Sequence, residues 1–524
     1  MKMKKIYILF FLTASIFSSC SDLKEEILDE QNGSAVIADE KNVGMIVAPS
    51  YAYLRDLQSR SGVWLGIESC TDEVAFPTRG ANWNSADYRT LFSHDYDALN
   101  GYIKNTWNSF MIGLTKCNVS LQYLEKLPQT DLVKTYTAEV RFIRALCMYQ
   151  LNDLFGKFPF RESSEYDYSK SPRILSRAEA IARIEMELKD IIPILKLKGE
   201  VPYGRITRAA GQMLLAKLYL NNQVYTGTAP TFANGTAKWQ EVIDLCNEIE
   251  KSGKYVLADD YWKLYLSDNA AYSNQTETIL PVIYNSAAGI GGIPWVNMTL
   301  GYNQTFGSYG NHWNGCCTTP TFFDTWDQTD SRFKDDRLKN QTGFNLGFLV
   351  GQQFDAKGNP VKTKDPKDGL LIFTKEFSLA NSPEAAGVRV VKYAPDPNTT
   401  YPGSSENDFQ YYRYSDVYLM RAEAKFRSGN IDGALADINE LRGKRRVNLI
   451  DKADFSLTKI YNERGFEFYW EGSRRNDMVR FNKYCEPRYE KPMETPTYKI
   501  LFPIPTSALE ANPLLKQNEG YVSQ

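Results

Sequence analysis

Asp416-Val-Tyr-Leu-Met-Arg-Ala-Glu-Ala-Lys-Phe-Arg427, the turn Ser428-Gly429-Asn430, and the run Ile460-Tyr-Asn-Glu-Arg-Gly-Phe-Glu-Phe-Tyr-Trp-Glu-Gly472 decide how this chain folds. After the turn, Ile431, Ala434, Leu435, Ile438 and Leu441 form an apolar stripe at three-and-four spacing, the mark of an amphipathic helix. Gly429 and Asn430 both tolerate left-handed backbone angles and so supply the turn. Ala422, Ala424 and Ala434 are small enough for two antiparallel helices to approach closely. Neither helix can bury its apolar face alone, so the hairpin needs neighbours.

That is the pattern of a tetratricopeptide-type repeat. A third helix runs on through Leu457, Ile460, Tyr461 and Phe468; Gly472 is placed to stop it and Ser473 to cap the next start at Arg474. Glu463, Glu467 and Glu471 recur every four residues and share a face, so they repel unless cations meet them. Arg464, Arg474, Arg475 and Arg480 are the nearby cations, and the cluster reads as a partly buried ion-pair network fixing a helix crossing. Paired carboxylates doing acid–base work are the rival reading of the same residues.

Going outward, helical patterning covers Val43–Leu57, returns near Tyr102, and is strong over Asp131–Phe155, Arg177–Leu195 (capped by Ser176), Thr207–Leu220 and Trp239–Ser252. With the C-terminal hairpins this makes about four helical pairs, enough for a short superhelix. The fold class is therefore mainly α: a tetratricopeptide-like α-α superhelix over 41–267 and 407–524. Between Asp268 and Glu406 the helical period is lost and Gly, Asn, Thr and Tyr dominate, which predicts a loop-rich subdomain inserted over 268–406.

The N-terminus reads as a targeting segment. Lys2, Lys4 and Lys5 precede the apolar run Ile6–Phe17, too short for a membrane span and suited to a signal-peptide core over 1–19. Phe17-Ser18-Ser19-Cys20 is similar to a bacterial lipobox, with Cys20 the lipidated residue and 20–40 a polar, acidic tether. Acyl chains anchor by burial at about 0.8 kcal/mol per CH₂. Net charge is -2, which gives no basic surplus for nucleic acid. The remaining cysteines are scattered without a CxxC, so no disulfide framework is indicated, and Cys147 and Cys246 lie on apolar helix faces as buried small hydrophobes. The 2 histidines, His94 and His312, have no metal-ligand spacing, and no nucleophile elbow, P-loop or dinucleotide fingerprint appears. No catalytic residue, cofactor or metal is expected. A glycosidase-type carboxylate pair stays open, because Asp and Glu are plentiful.

A binding site is easier to argue. The chain is rich in aromatics, with 33 Tyr, 27 Phe and 9 Trp. Sugar rings offer an apolar C–H face that meets an aromatic plane, and a hydroxyl rim that meets Asn, Asp and Arg. Two loop segments carry that mixture: Thr71–Asn84 continuing to Tyr88 and His94, and Pro294–Tyr302 through Trp313-Asn-Gly315. In the second, Trp295, Tyr302, Tyr309 and Trp313 have turn formers beside them, so several are expected to be exposed, packing against the helical frame being the rival reading for each. Trp64 and Trp107 have the weaker case, Trp107 as a core residue on a helix.

ERGFEFYWEGSRRNDMVRF (463–481) resembles the C-terminal signature of the SusD/RagB-like outer-membrane lipoproteins of Bacteroidetes. Val140–Pro159, Tyr203–Leu220, Arg413–Ala424 and Leu501-Phe-Pro-Ile-Pro505 with Asn512-Pro and Gln517–Tyr521 agree with it in order, nearly over the full length. The resemblance implies a surface lipoprotein, lipid-anchored to the outer membrane, that captures oligosaccharide and hands it to a SusC-like TonB-dependent transporter. It also places the acidic Asp22, Glu25 and Glu26 as a surface-export signal. Pro77-Thr-Arg-Gly80 and the following Trp are similar to the family's glycan-binding loop, which carries a role onto Arg79 and Trp83, and onto Asp72 more weakly. The chain departs from the family's Asp-Gly-Gly run, with Ser85-Ala86-Asp87 in its place. Peptide or another nutrient as the ligand, and a lipoprotein glycoside hydrolase, are the alternatives.

Overall fold

The computed structural model describes residues 42–165, 169–285, 288, 290, 292–306, 310–396 and 405–522. The expected signal peptide, lipidated Cys20, tether and Tyr309 lie outside the described residues. The helices begin with α1 (Val43–Tyr53), α2 (Val63–Glu68), α3 (Ala86–Ser93), α4 (Gly101–Leu124) and α5 (Asp131–Phe155). Asn100 caps α4 by accepting from the amides of Tyr102 and Ile103, and Thr130 caps α5, each satisfying amides that a helix leaves unpaired. α6 (Arg177–Ile191) opens with a reciprocal capping box between Ser176 and Glu179, and α7 (Arg208–Leu220) and α8 (Trp239–Lys251) follow. After several short helices in the insert, among them α9 (Trp295–Thr299), come α10 (Tyr414–Arg427), α11 (Ile431–Lys444), α12 (Leu457–Phe468) and α13 (Arg474–Arg480).

Packing makes these a superhelix. α4 lies on α5, α5 on α6, α6 on α7, α7 on α8, α8 on α10 and α10 on α11. The fold is a tetratricopeptide-like α-α superhelix, as the apolar periods predict. At the α10–α11 turn Gly429 takes φ +90° and the Asn430 side chain accepts from the Gly433 amide. Ala422, Ala424 and Ala434 are fully buried at that crossing.

The chain leaves and re-enters the scaffold through one antiparallel strand pair, β1 (Thr278–Val282) and β4 (Phe409–Arg413), with Val282 opposite Phe409 and Thr278 opposite Arg413. Between them regular structure comes in short pieces, helices such as α9 and short strands, of which β2 (Leu346–Leu349) and β3 (Arg389–Val391) pair antiparallel. Among the described residues no helix is long and apolar enough to cross a membrane. The described cysteines are free thiols, with Cys147 and Cys246 fully buried.

At the junction of scaffold and insert sits a buried ionic cluster. Glu467 accepts from Arg413 Nη1 at 2.7 Å, from Arg445 Nη2 at 2.6 Å and from Arg332 Nη1 at 3.0 Å. Glu277 accepts from Arg413 and Arg445 at 2.7 and 2.9 Å, and Glu471 from Arg413 at 2.9 Å. Lys392 reaches Glu471, and Arg442 reaches Glu463. Arg332 also holds Asp330 (2.8 Å) and Glu463 (2.8 Å). The cations named (Arg332, Lys392, Arg413, Arg442, Arg445) match in number the carboxylates named (Glu277, Asp330, Glu463, Glu467, Glu471), so the cluster is neutral. Burial alone would push the Glu467 carboxyl up; the surrounding guanidiniums instead hold it well below the usual range.

Sequence reading anticipated the network and assigned it the wrong cations. Arg464 follows Glu463 directly, and successive side chains on a helix do not face one another. Arg464 instead bonds Asp416 (2.9 Å) and Asp477 (2.8 Å), Arg480 bonds Glu423 (2.7 Å), Arg474 bonds Asp72, and Arg475 bonds the Ile500 carbonyl. These fasten α10, α12 and α13 to each other and to the N-terminal part of the chain. The helix also stops at Phe468 rather than at Gly472, and Trp470 takes a left-handed φ of 62° in the turn that follows.

Removing one partner of such a cluster strands the rest without counter-charge. Glu467→Ala is expected to cost about 3–5 kcal/mol in chemical denaturation. Lys452→Ala, which breaks an exposed pair with Asp432, is expected to change stability by under about 1 kcal/mol.

Candidate functional site

Two loops converge beside the insert. Residue 75 and residue 317 exchange backbone hydrogen bonds, Ala75 N to Cys317 O at 2.9 Å and Cys317 N to Ala75 O at 3.0 Å. The second loop is clamped onto α9 and the residue after it: Trp313 N donates to Asn297 O and Gly315 N to Met298 O, both at 2.7 Å, and Asn314 N to Leu300 O at 3.0 Å. Arg79 ties the loops from within. Its guanidinium donates to the carbonyls of Pro383 (2.6 Å), Ala386 (2.8 Å) and Gly315 (3.4 Å). Five donors in a rigid fork suit that task.

On this base lies an aromatic face. Trp83 is half-buried and donates its indole N–H to the Trp313 carbonyl at 2.8 Å. Its ring rests on Gly315, where a Cβ would stand 2.4 Å from Cε2 of the indole. Phe76 (centroids 5.3 Å) and Tyr88 (5.5 Å) pack against Trp83, and Tyr102 stacks on Tyr88 at 4.8 Å. The half-buried Trp313 ring carries the guanidinium of exposed Arg60 at 4.6 Å. Tyr302, also half-buried, accepts on its hydroxyl from exposed Asn82 (2.9 Å) and has the Lys364 ammonium over its ring at 5.2 Å. Flat rings thus stand beside amide, guanidinium and ammonium donors.

The non-glycine residues Trp83, Asn311 and Asn314 adopt left-handed φ angles of 54°, 63° and 49°. Such angles cost energy and persist where the surroundings impose them, as at binding sites.

Of the residues singled out from sequence, Trp83, Tyr302 and Trp313 are brought together at this face. Three others need correcting. Trp295 is only 2% exposed, stacked on Trp64 at 4.4 Å and edge-on to Tyr393 and Phe409, because α9 turns its ring into the core. Arg79 is buried, its donors spent on backbone carbonyls, so it positions the loops and does not face a ligand. Asp72 is bound bidentate by Arg474, at 2.7 Å for both oxygens, and serves as a tie to α13. Trp64 and Trp107 are core residues. Arg60, Asn82, Tyr102 and Lys364 were not foreseen. Asn82 adjoins Trp83 in the loop already noted, whereas Arg60 and Lys364 are brought near by the tertiary fold alone.

Two consecutive family models match the chain: one described as "Starch-binding associating with outer membrane" over residues 26–220, and the SusD family model over residues 276–521. The chain belongs to the SusD/RagB-like family. The starch-binding protein SusD of Bacteroides thetaiotaomicron is 28% identical over 453 residues, 78% of this chain and 76% of that protein. A SusD-like protein of Formosa agariphila is 23% identical over 99% of this chain and 100% of its own. Among solved structures, a laminarin-binding SusD-like protein superposes with a TM-score of 0.69 at 22% identity, over 92% of this chain and 100% of that one. Surface glycan-binding protein A from Bacteroides thetaiotaomicron in complex with laminarihexaose gives 0.67 at 18% identity, over 91% and 99%. These likenesses establish a shared fold.

Behind the aromatic face, this SusD-family chain buries two more acids, Glu68 and, 3.6 Å from the Arg474 guanidinium, Glu73. Glu68 and Glu73 flank the start of the first loop and accept from the backbone amides of Gly472 and Trp470. Burial pushes Glu68 up to about 8 and raises Glu73 as well, with Arg474 pulling both the other way. His94 and His312 are buried and held below the ordinary histidine range by desolvation, His312 at about 3. His312 Nδ1 lies 3.0 Å from Asn297 Oδ1 with its ring stacked on Phe306, and His94 Nε2 lies 2.8 Å from the Cys70 carbonyl with its ring stacked on Tyr484, so both histidines are structural. Among the described residues no group of His, Cys, Asp and Glu could hold a metal ion.

A carboxyl whose folded pKa is raised binds its proton more tightly in the folded state. Its stabilising contribution is full below the unfolded value of about 4.3 and is lost as pH rises towards 8. The melting temperature of Glu68→Gln is therefore expected to fall less than that of the native protein between pH 5 and pH 8, in parallel thermal melts.

Proposed function

We propose that the chain binds oligosaccharide on the face built by Trp83, Trp313 and Tyr302, and delivers it to a SusC-like TonB-dependent transporter while held at the cell surface by lipid on Cys20. One observation carries the binding part: two half-exposed tryptophans, locked to each other by the indole–carbonyl bond, stand beside Asn82, Arg60 and Lys364 in loops fixed on all sides. A sugar lays its C–H face on such rings and its hydroxyls against such donors. The starch-binding and laminarihexaose-bound relatives support a glycan as the ligand class, and the outer-membrane wording of the matched family model supports the location. Family membership supports the transporter as partner.

Binding without turnover fits the acids of the first loop and the helix that follows it. Asp72 is occupied by Arg474, and Asp87 accepts from the Gly101 amide. Neither is poised as one of two facing carboxylates.

In calorimetric titrations with starch- and laminarin-derived oligosaccharides, Trp313→Ala and Trp83→Ala are each expected to weaken binding about tenfold or more, the loss of one stacking ring. Neither native protein nor variants should release shorter products. Affinity unchanged in both variants, or hydrolysis by the native chain, contradicts the reading.

A further inference from the structure

A second hollow lies away from the aromatic face. The loop 325–330, the turn after α11 and the outer side of α12 enclose a cleft of about 420 Å³. Its acids are already satisfied: Asp330 by Arg332 (2.8 Å), Glu463 by Arg332 and Arg442, and Asp327 by the hydroxyl and amide of Thr329. Of its cations, Arg442 is spent on Glu463 and the Asn448 carbonyl. Among the described residues, Arg446 and Lys459 line the cleft with no side-chain hydrogen bond or close ion pair, Arg446 acting only at longer range on Asp259, and the Asn462 amide beside them is equally unspent. Phe466, half-buried and packed on Trp326 at 4.6 Å, gives the cleft an apolar wall.

The walls are held from inside. Arg445 points into the buried cluster, bonded to Glu277, Glu467 and the Ala258 carbonyl. The next residue, Arg446, takes a left-handed φ of 55° and is exposed on the cleft. A non-glycine residue in that conformation is held there by its surroundings. Free donors on a wall whose own carboxylates are held by Arg332, Arg442 or Thr329 call for an acceptor with negative charge.

We propose that this cleft is a second binding site, for an oxyanion carried on a small hydrophilic molecule such as an acidic sugar unit. Arg446 and Lys459 hold the anion, Asn462 donates to a neighbouring oxygen, and Phe466 meets the apolar edge. A uronic-acid carboxylate and a sulfate ester share this chemistry. The site is independent of the aromatic face.

Isothermal titration of the mature chain with sodium glucuronate, sodium sulfate and uncharged glucose tests it. Glucuronate, sulfate or both should bind, and Arg446→Gly combined with Lys459→Ala should weaken that binding about tenfold or more. Glycine suits the left-handed backbone at 446, so the variant should melt like the native protein. Trp313→Ala should leave anion binding unchanged, which separates this site from the glycan face. Response to glucuronate alone identifies a carboxylate ligand, and to sulfate alone a sulfate ester; either supports the site. No binding of either anion, binding undiminished in the double variant, binding lost in Trp313→Ala, or glucose binding there as well as glucuronate overturns it.

Discussion

Glu467 holds three arginines that come from three different parts of the chain. Arg332 lies within the insert, Arg413 ends the strand that returns from it, and Arg445 closes α11. A carboxylate stripped of water is tolerable only with such company, and the arginines are tolerable only with it. Lys392 extends the arrangement further into the insert through Glu471 and the carbonyls of Glu467 and Tyr469. Charge balance at this buried junction therefore constrains where the irregular region can sit on the superhelix. Hydrophobic packing alone has no such direction; an ionic cluster with named partners does.

From that junction the constraint passes to the aromatic face by short covalent and hydrogen-bonded steps. Glu471 precedes Gly472, whose amide is held by Glu68, and Glu68 ends α2 just before the first site loop. Arg474 takes hold of Asp72 in the same loop. The Trp470 amide and indole both donate to Glu73, and Trp64 stacks on Trp295 and meets Trp470 edge-on. The buried tryptophans thus form the underside of the aromatic face on which the half-exposed ones stand. If that face binds glycan as proposed, it gains from being ordered before a flexible chain of sugars arrives.

The helical frame was legible because its signals are local. Ser176 with Glu179, Gly429 with Asn430, and the apolar stripe from Ile431 to Leu441 each act within one or two turns. The ionic cluster was half legible: four-residue spacing exposed Glu463, Glu467 and Glu471, while Glu277, Asp330, Arg332, Lys392 and Arg413 come from distant parts of the chain, Arg332 135 residues before Glu467, and no period reveals them. The binding loops were legible as composition and not as orientation. Trp295 and Trp313 sit in the same kind of glycine- and asparagine-rich surroundings, yet α9 turns one into the core, and the loop clamped upon α9 leaves the other at the surface. Arg79 shows the same limit, since the motif located the residue while the fold gave its donors to carbonyls.

The aromatic face proposed to bind glycan is rigid because it is fastened to the same core as the helices. Native-state hydrogen exchange read at single amides tests this most directly. The amides of Ala75, Trp313, Gly315 and Cys317, all hydrogen-bonded across the two loops or onto α9 and its edge, should exchange as slowly as those of α10 and α12, opening only with global unfolding. Fast exchange at these four amides while α10 and α12 stay protected would show a mobile site on a rigid frame, and the account would be wrong.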